Sequence, residues 1–248
     1  MQKIINYINK LKDFIYYAMY KKLLTLLFNN IFNSALDVVM PGLCISCKAE
    51  ISGPSLLCIR CRESIIIRKA PRRIGSRLLF AAADYRDPAI RNLVKIMKYD
   101  RIWRASEPIA DIMLKHLELA GFIKNLTEEN KVYIIPIPIH FLKKWFRGFN
   151  QSEILADIIG HNLRIQVVPA LSRQKWTPPQ NSITDNKIRS LNIQSCFTLS
   201  QNAKNIPPKS VIILLDDIVT SGATIKEAAK ALGPLRPSKI IFMSAASS

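Results

Sequence analysis

The apolar positions of this chain change period several times, and each change marks a predicted element. Ile4, Ile8, Leu11, Ile15 and Ala18 recur at three- to four-residue intervals, with Lys3, Asn6, Lys10 and Asp13 toward another side. No Gly or Pro interrupts residues 1–33, so one or two amphipathic helices are expected there. From residue 34 the pattern breaks. Pro41-Gly42 and Gly53-Pro54 punctuate a loop-rich stretch with too little core to hold itself together. A basic run from Arg68 to Arg77, carrying Pro71 and Gly75, reads as a linker. After it, short apolar runs alternate with helical periods. Strands are predicted near residues 79–85, 131–137, 165–169, 210–215 and 239–245, and helices near 88–98, 107–119, 151–162 and 224–232. Residues 172–195 are polar without a sustained period and predict a long loop. Strands alternating with helices give an α/β fold, a mostly parallel sheet covered on both faces. The expected layout is a helical extension at 1–33, a small unit at 34–76 and an α/β domain at 77–248.

Composition refines this picture. Of 248 residues, 49% are hydrophobic and 22% charged, which requires a packed fold and excludes wholesale disorder. The 36 Lys and Arg against 18 Asp and Glu give a net charge of +18. Such a charge suits polyanionic company: nucleic acid, phosphorylated small molecules or an anionic membrane. A coding bias toward Ile, Asn and Lys produces the same excess without function. The charge is denser near the start. Residues 1–33 carry five Lys against Asp13, whereas residues 77–248 carry 24 basic and 14 acidic residues. The first helix is accordingly read either as a packed helix or as a peripheral membrane contact aided by Lys21 and Lys22. No uninterrupted apolar run reaches the ~20 residues of a membrane span, and no secretory signal is evident, so a cytoplasmic location is expected.

Four of five cysteines form two Cys-x-x-Cys pairs, Cys44/Cys47 and Cys58/Cys61. In a reducing compartment this pattern reads as metal binding before disulfide. Each pair places two thiolates on one side of a tight knuckle, and two knuckles close a tetrahedral zinc site that leaves no position for water. The zinc would therefore be structural, with redox pairs or vestigial cysteines as the alternatives. Arg60, Arg62, Arg68, Lys69, Arg72 and Arg73 adjoin the pairs and permit contact with nucleic acid. Cys196 stands alone and reads as a packing residue.

The most informative stretch is residues 211–224. A hydrophobic run delivers Asp216 and Asp217, then Thr220-Ser221-Gly222-Ala223-Thr224 leads into a helix. The carboxyl edge of a parallel strand is where ligands bind in such sheets. Backbone N–H groups of a small-residue loop, its hydroxyls and the helix dipole together suit a phosphate dianion. The carboxylates repel a phosphate but accept hydrogen bonds from vicinal sugar hydroxyls. The implied ligand is a ribose with a 5-phosphate. Neither a Walker loop nor a dinucleotide fingerprint is present.

Residues 211–224 resemble the phosphoribosyl pyrophosphate signature of type I phosphoribosyltransferases. The segment from Ile135 through His140 to Arg147-Gly148-Phe149-Asn150-Gln151, and that from Arg173 through Thr177, Gln180, Arg189 and Asn192 to Phe197, resemble the ComF family. The double Cys-x-x-Cys ribbon belongs to that resemblance, as do Tyr85 and Lys98-Tyr99. It covers residues 35–245 and leaves residues 1–33 unexplained. It implies transfer of a ribose 5-phosphate to a nitrogen nucleophile, with Mg²⁺ and basic groups holding the departing pyrophosphate. Asp216 and Asp217 would bind the ribose hydroxyls directly or through Mg²⁺, and Thr220 to Thr224 the 5-phosphate. Arg147 would stabilise the leaving group. Lys143 and Lys144 are weaker candidates, and His140 is read as a polar loop residue. Arg173 and Arg189 would contact phosphate from a lid at 173–192. No acceptor pocket or general base is legible. A second expectation is a single-stranded DNA-handling protein of competence type that keeps the site as a sensor or relic. Trp145 and Trp176, placed in predicted loops, are better candidates for base stacking than Trp103.

Overall fold

The computed structural model describes residues 42–51, 55–100, 103–122, 131–174 and 195–248. The chain divides into two compact units, residues 1–58 and 59–248.

In the first unit, β1 (Gly42–Leu43) and β2 (Glu50–Ile51) pair antiparallel, with Gly42 opposite Ile51. The turn between them closes through Cys44 and Ala49, and Lys48 takes a left-handed φ of 64° within it. The predicted helical extension at residues 1–33 lies outside the described residues.

The second unit opens with the short helix α1 (Ile59–Glu63) and is built on a six-stranded sheet. Its strands are β3 (Arg72–Ile74), β4 (Arg77–Asp84), β5 (Val132–Pro136), β6 (Gln166–Val167), β9 (Val211–Val219) and β10 (Lys239–Ser247). Their order across the sheet is β3-β4-β10-β9-β5-β6. All neighbours run parallel except β3, which lies antiparallel on β4. The central strands are buried along nearly their whole length, as expected of a parallel sheet covered on both faces. Two small strands, β7 (Leu171–Arg173) and β8 (Phe197–Leu199), form a separate antiparallel pair. Leu79, Ile135, Ile212, Leu214 and Phe242 lie in a core cluster with Leu171, Cys196 and Phe197 from the β7–β8 region. Cys196 is fully buried there, as its sequence reading anticipated.

The helices are α2 (Pro88–Lys95), α3 (Ser106–Leu119), α4 (Phe141–Arg147), α5 (Gln151–Leu163) and α6 (Ala223–Ala231). Asp87 caps α2 by accepting N–H bonds from Ala89 and Ile90, and Pro88 fixes its first turn. Gly160 lets α5 lie on the sheet, since a Cβ there would stand 2.5 Å from Val167. Among the described residues no helix is long and apolar enough to cross a membrane.

Three local outcomes differ from the sequence reading. The basic run from Arg68 is partly sheet: Arg72–Ile74 is an edge strand, and Arg68 reaches Ser247 and Asp84. His116 donates its Nδ1–H to the Arg68 carbonyl, which fixes that run to α3. Residues 141–147 form a helix where a loop was expected, because period is unreadable over seven residues with exposed aromatics. Finally, β9 extends through Val219, so the acidic pair lies within the strand rather than after it.

Candidate functional site

The sheet topology selects one crevice. The chain leaves β5 for the edge strand β6, and leaves β9 in the opposite direction for β10. Adjacent strands whose connections diverge in this way open a cleft at their carboxyl ends. Pro136 is paired with Leu215, after which β5 departs and β9 continues alone on that side. The next residues of β9 are Asp216 and Asp217.

Neighbouring residues of an extended strand project to opposite sides, and the two carboxylates have different partners. Asp216 Oδ1 accepts a 3.1 Å hydrogen bond from Ser152 Oγ, in the first turn of α5. Asp217 Oδ2 lies 2.6 Å from Lys98 Nζ, with the two side chains only 11% and 21% exposed. Each carboxylate also accepts the backbone N–H of the residue that follows it. Burial, and next the charge of Asp217, push Asp216 up to about 7, although Lys98 pulls the other way. For Lys98, burial works against the ammonium, but Asp217 outweighs it and leaves the lysine above its ordinary value. The cleft thus holds two carboxylates crowded enough that one binds a proton near neutrality.

Further cations surround the pair. Helix α4 follows β5, capped by His140, whose Nδ1 accepts the Leu142 N–H, and ended by Gly148 at a φ of 89°. Lys143 and Arg147 stand one turn apart on it. Burial first, then Arg173, Arg147 and Lys98, lower Lys143 to about 8. Arg147 donates to Gln151 Oε1 at 3.2 Å. Arg173, on β7, stacks 5.4 Å over the Phe197 ring, and burial lowers it while Cys196 and Asp216 raise it. Lys98, Lys143, Arg147 and Arg173 therefore share one electrostatic neighbourhood with the acidic pair.

The predicted phosphate loop follows the carboxyl end of β9. Gly222 caps α6 with a left-handed φ of 75°, and Ser221 Oγ accepts the Ala223 N–H. A Cβ at Gly222 would stand 3.0 Å from Ile74, so the residue meets both a conformational and a steric demand. Thr220 and Ser221 are exposed and Thr224 is half-buried at the helix start. The N–H groups of a helix's first turn collect here.

Asp216, Asp217, Arg147, Arg173 and residues 220–224 thus come from separate elements of one unit. Arg189, Trp176 and most of the predicted lid lie outside the described residues. The sequence reading missed Lys98 as a site residue, together with Ser152 and Gln151. Ser152 directly follows the Arg147-to-Gln151 motif, which was its available signal. Lys98 follows α2 in the π-type turn Ile96–Asp100, four residues beyond the buried Val94, where a lysine is out of keeping with Ile90 and Leu93 before it.

The four paired cysteines form a second cluster. Their sulfurs lie within 4.8 Å of one another, and no disulfide joins them. Burial opposes the Cys44 thiolate, but N–H bonds from Cys47, Cys58 and Ser46 bring Cys44 down to about 6. A thiol ionised near neutrality within a four-sulfur cluster fits zinc. The cluster could hold one structural ion.

A parallel sheet with an acidic pair and a small-residue loop at its switch point defines a phosphoribosyl-type α/β protein. Residues 104–247, over half the chain, match the model of the phosphoribosyl transferase domain, and the chain belongs to that family. It is 27% identical over 192 residues to the DNA utilization protein YhgH of Salmonella typhimurium, covering 77% of this chain and 78% of that one. It is 32% identical over 103 residues to competence protein F of Haemophilus influenzae, covering 41% and 44% of the two chains. The ComF resemblance stands on these relatives. Adenine phosphoribosyltransferase of Leishmania tarentolae aligns with 72% of this chain and 95% of its own, at 11% identity and a TM-score of 0.39.

Proposed function

We propose that the chain binds phosphoribosyl pyrophosphate with Mg²⁺ in the β5–β9 cleft and transfers its phosphoribosyl group to a nitrogen acceptor. The observation that carries this reading is the convergence of Asp216 and Asp217 with Lys98, Lys143, Arg147 and Arg173 beside the start of α6. The 5-phosphate takes the N–H groups and hydroxyls of residues 220–224. The carboxylates take the ribose hydroxyls, and Arg147 and Arg173 face the diphosphate. The donor set fits Mg²⁺, which prefers one or two carboxylates plus substrate phosphates. Two carboxylates that Lys98 offsets only in part have room for a further positive charge. Mg²⁺, when bound, neutralises charge on the departing diphosphate. The protein's share is to hold carbon 1 and the leaving group in place with preorganised positive charge. Titration calorimetry tests this. The wild type is expected to bind the donor with Mg²⁺. Asp217→Asn is expected to weaken binding about tenfold, the scale of one charge-assisted hydrogen bond. No heat with the wild type, or equal affinity in the variant, overturns it.

A second reading, single-stranded DNA handling, rests on α4. On its outward faces Phe141 is 67% exposed, and Trp145 and Phe146 each 60%. Trp145 and Phe146 meet edge to face at 5.2 Å, with Lys144 between the aromatic positions along the helix. Exposed rings interleaved with cations are the stacking arrangement single strands use, and the relatives' names concern DNA utilization and competence. Anisotropy with a labelled oligonucleotide is expected to show binding that Trp145→Ala weakens about tenfold, within the ~1–3 kcal/mol per stacked base. Unchanged affinity in that variant removes α4 from the reading. In both readings a structural zinc held by Cys44, Cys47, Cys58 and Cys61 orders the ribbon.

A further inference from the structure

Lys98 already pairs with one of the two carboxylates that the proposed function assigns to the donor and its cation. Its ammonium sits on Asp217, while Asp216 turns to Ser152. The residue enters through the wider π-type turn Ile96–Asp100 that follows α2. Such turns occur frequently at functional sites. Up to that point the buried side of the helix is apolar, with Ala89, Ile90, Leu93 and Val94, and Met97 is fully buried. A lysine among these residues is held by its ion pair, because an unpaired buried ammonium is expensive. Its release from Asp217 therefore needs another anion within reach. Arg147 acts on Lys98, and Lys98 acts on Lys143, so Lys98 shares the electrostatic neighbourhood of the cations assigned to the diphosphate.

We propose that Lys98 is a counter-ion switch that makes metal binding conditional on the diphosphate-bearing ligand. This deepens the donor-binding reading and rests on it. Without ligand, Lys98 neutralises Asp217 and keeps a free divalent cation out. When the diphosphate arrives, Lys98 passes from Asp217 to the phosphate oxygens, and the acidic pair becomes free for the sugar and its accompanying cation. Charge is conserved in the exchange: one cation leaves the carboxylate as another arrives. The site thereby favours the metal–diphosphate complex over metal alone, and the diphosphate donor over ribose 5-phosphate.

The test is Mn²⁺ binding without donor, followed by electron paramagnetic resonance, on the full chain. Lys98→Met is expected to bind Mn²⁺ alone about tenfold more tightly than the wild type, the effect of removing one competing contact cation. Lys98→Arg, which keeps the charge, is expected to match the wild type. For the donor with Mg²⁺, Lys98→Met is expected to lose about tenfold in affinity, while ribose 5-phosphate binding changes by no more than about twofold. Equal Mn²⁺ affinity in wild type and Lys98→Met overturns the switch, whatever the donor does. Failure of the wild type to bind donor overturns the donor reading instead, and the two failures are separate. Should Lys98→Met not fold, the lysine ammonium resonance of the wild type decides by NMR. It is expected to shift when donor and Mg²⁺ are added, and an unmoved resonance overturns the proposal.

Discussion

At the scale of single residues, opposing ionisations in the cleft set the pH window expected for the proposed donor binding. Burial and Asp217 hold Asp216 at about 7, so it gains a proton as pH falls through that value and stops serving a cation or a sugar hydroxyl as an anion. Burial and neighbouring cations hold Lys143 at about 8, so it loses its charge as pH rises through that value and attracts diphosphate less. Donor affinity with Mg²⁺ is therefore expected to rise and then fall across neutral pH. Calorimetry as a function of pH checks this. Asp216→Asn is expected to remove the acid limb and Lys143→Arg the alkaline one; an affinity flat between about pH 6 and 9 contradicts both assignments. Gly222 supplies a test of geometry rather than charge. Gly222→Ala is expected to cost about 1–2 kcal/mol in thermal unfolding, since its φ of 75° is left-handed and its Cβ would crowd Ile74. In an Ile74→Ala background, which lacks both the Cγ2 and the Cδ1 that the new Cβ would meet, Gly222→Ala is expected to cost only its conformational part.

At the scale of elements, legibility followed length and period. The strands at 211–219 and 239–247 and the helices at 106–119 and 151–163 were readable because each has a long apolar run or a sustained turn period. Helix α4 was not, since its faces divide between exposed aromatics and site-facing cations and leave no apolar stripe to detect. The acidic pair and the small-residue loop were legible because consecutive residues carry their chemistry. Lys98 was not, because its partner lies more than a hundred residues away and only the sheet brings them together. Asn150 shows how one element orders another. It caps α5 by accepting the Ser152 N–H, donates to the Ile137 carbonyl at 3.0 Å, and is almost fully buried. It thereby places Ser152 under Asp216. Asn150→Ala is expected to destabilise the fold by about 1–3 kcal/mol, combining a lost cap with an unpaired buried carbonyl. Denaturant unfolding measures the loss, and a change below about 0.5 kcal/mol would show that the cap is not needed.

At the scale of the whole molecule, the charge of +18 divides among different duties. Lys98, Lys143, Arg147 and Arg173 belong to the acidic pair's neighbourhood, and the proposed function gives them a small-molecule role. The paired cysteines adjoin a second concentration of cations, at Arg60, Arg62, Arg68, Lys69, Arg72 and Arg73, several of which already have protein partners. Arg62 pairs with Asp111, and Arg68 with Asp84. A charge count alone therefore overstates what is free to meet a polyanion. Helix α4 gives a sharper expectation, because Lys143 and Arg147 join the cleft's cations while Phe141 and Trp145 are strongly exposed. If both proposed readings hold, one helix serves a phosphoribosyl ligand and a stacked single strand together. Saturating donor with Mg²⁺ is expected to leave oligonucleotide affinity within about threefold, since the bases stack on rings that the donor does not need. Affinity for the oligonucleotide is also expected to fall with salt, by roughly 0.7 log units per log unit of salt for each phosphate contact. If the strand instead reaches the cleft with its phosphates, donor displaces it fully and the Trp145→Ala loss disappears. Anisotropy titrations with and without donor, at several salt concentrations, separate shared from competing occupancy of α4.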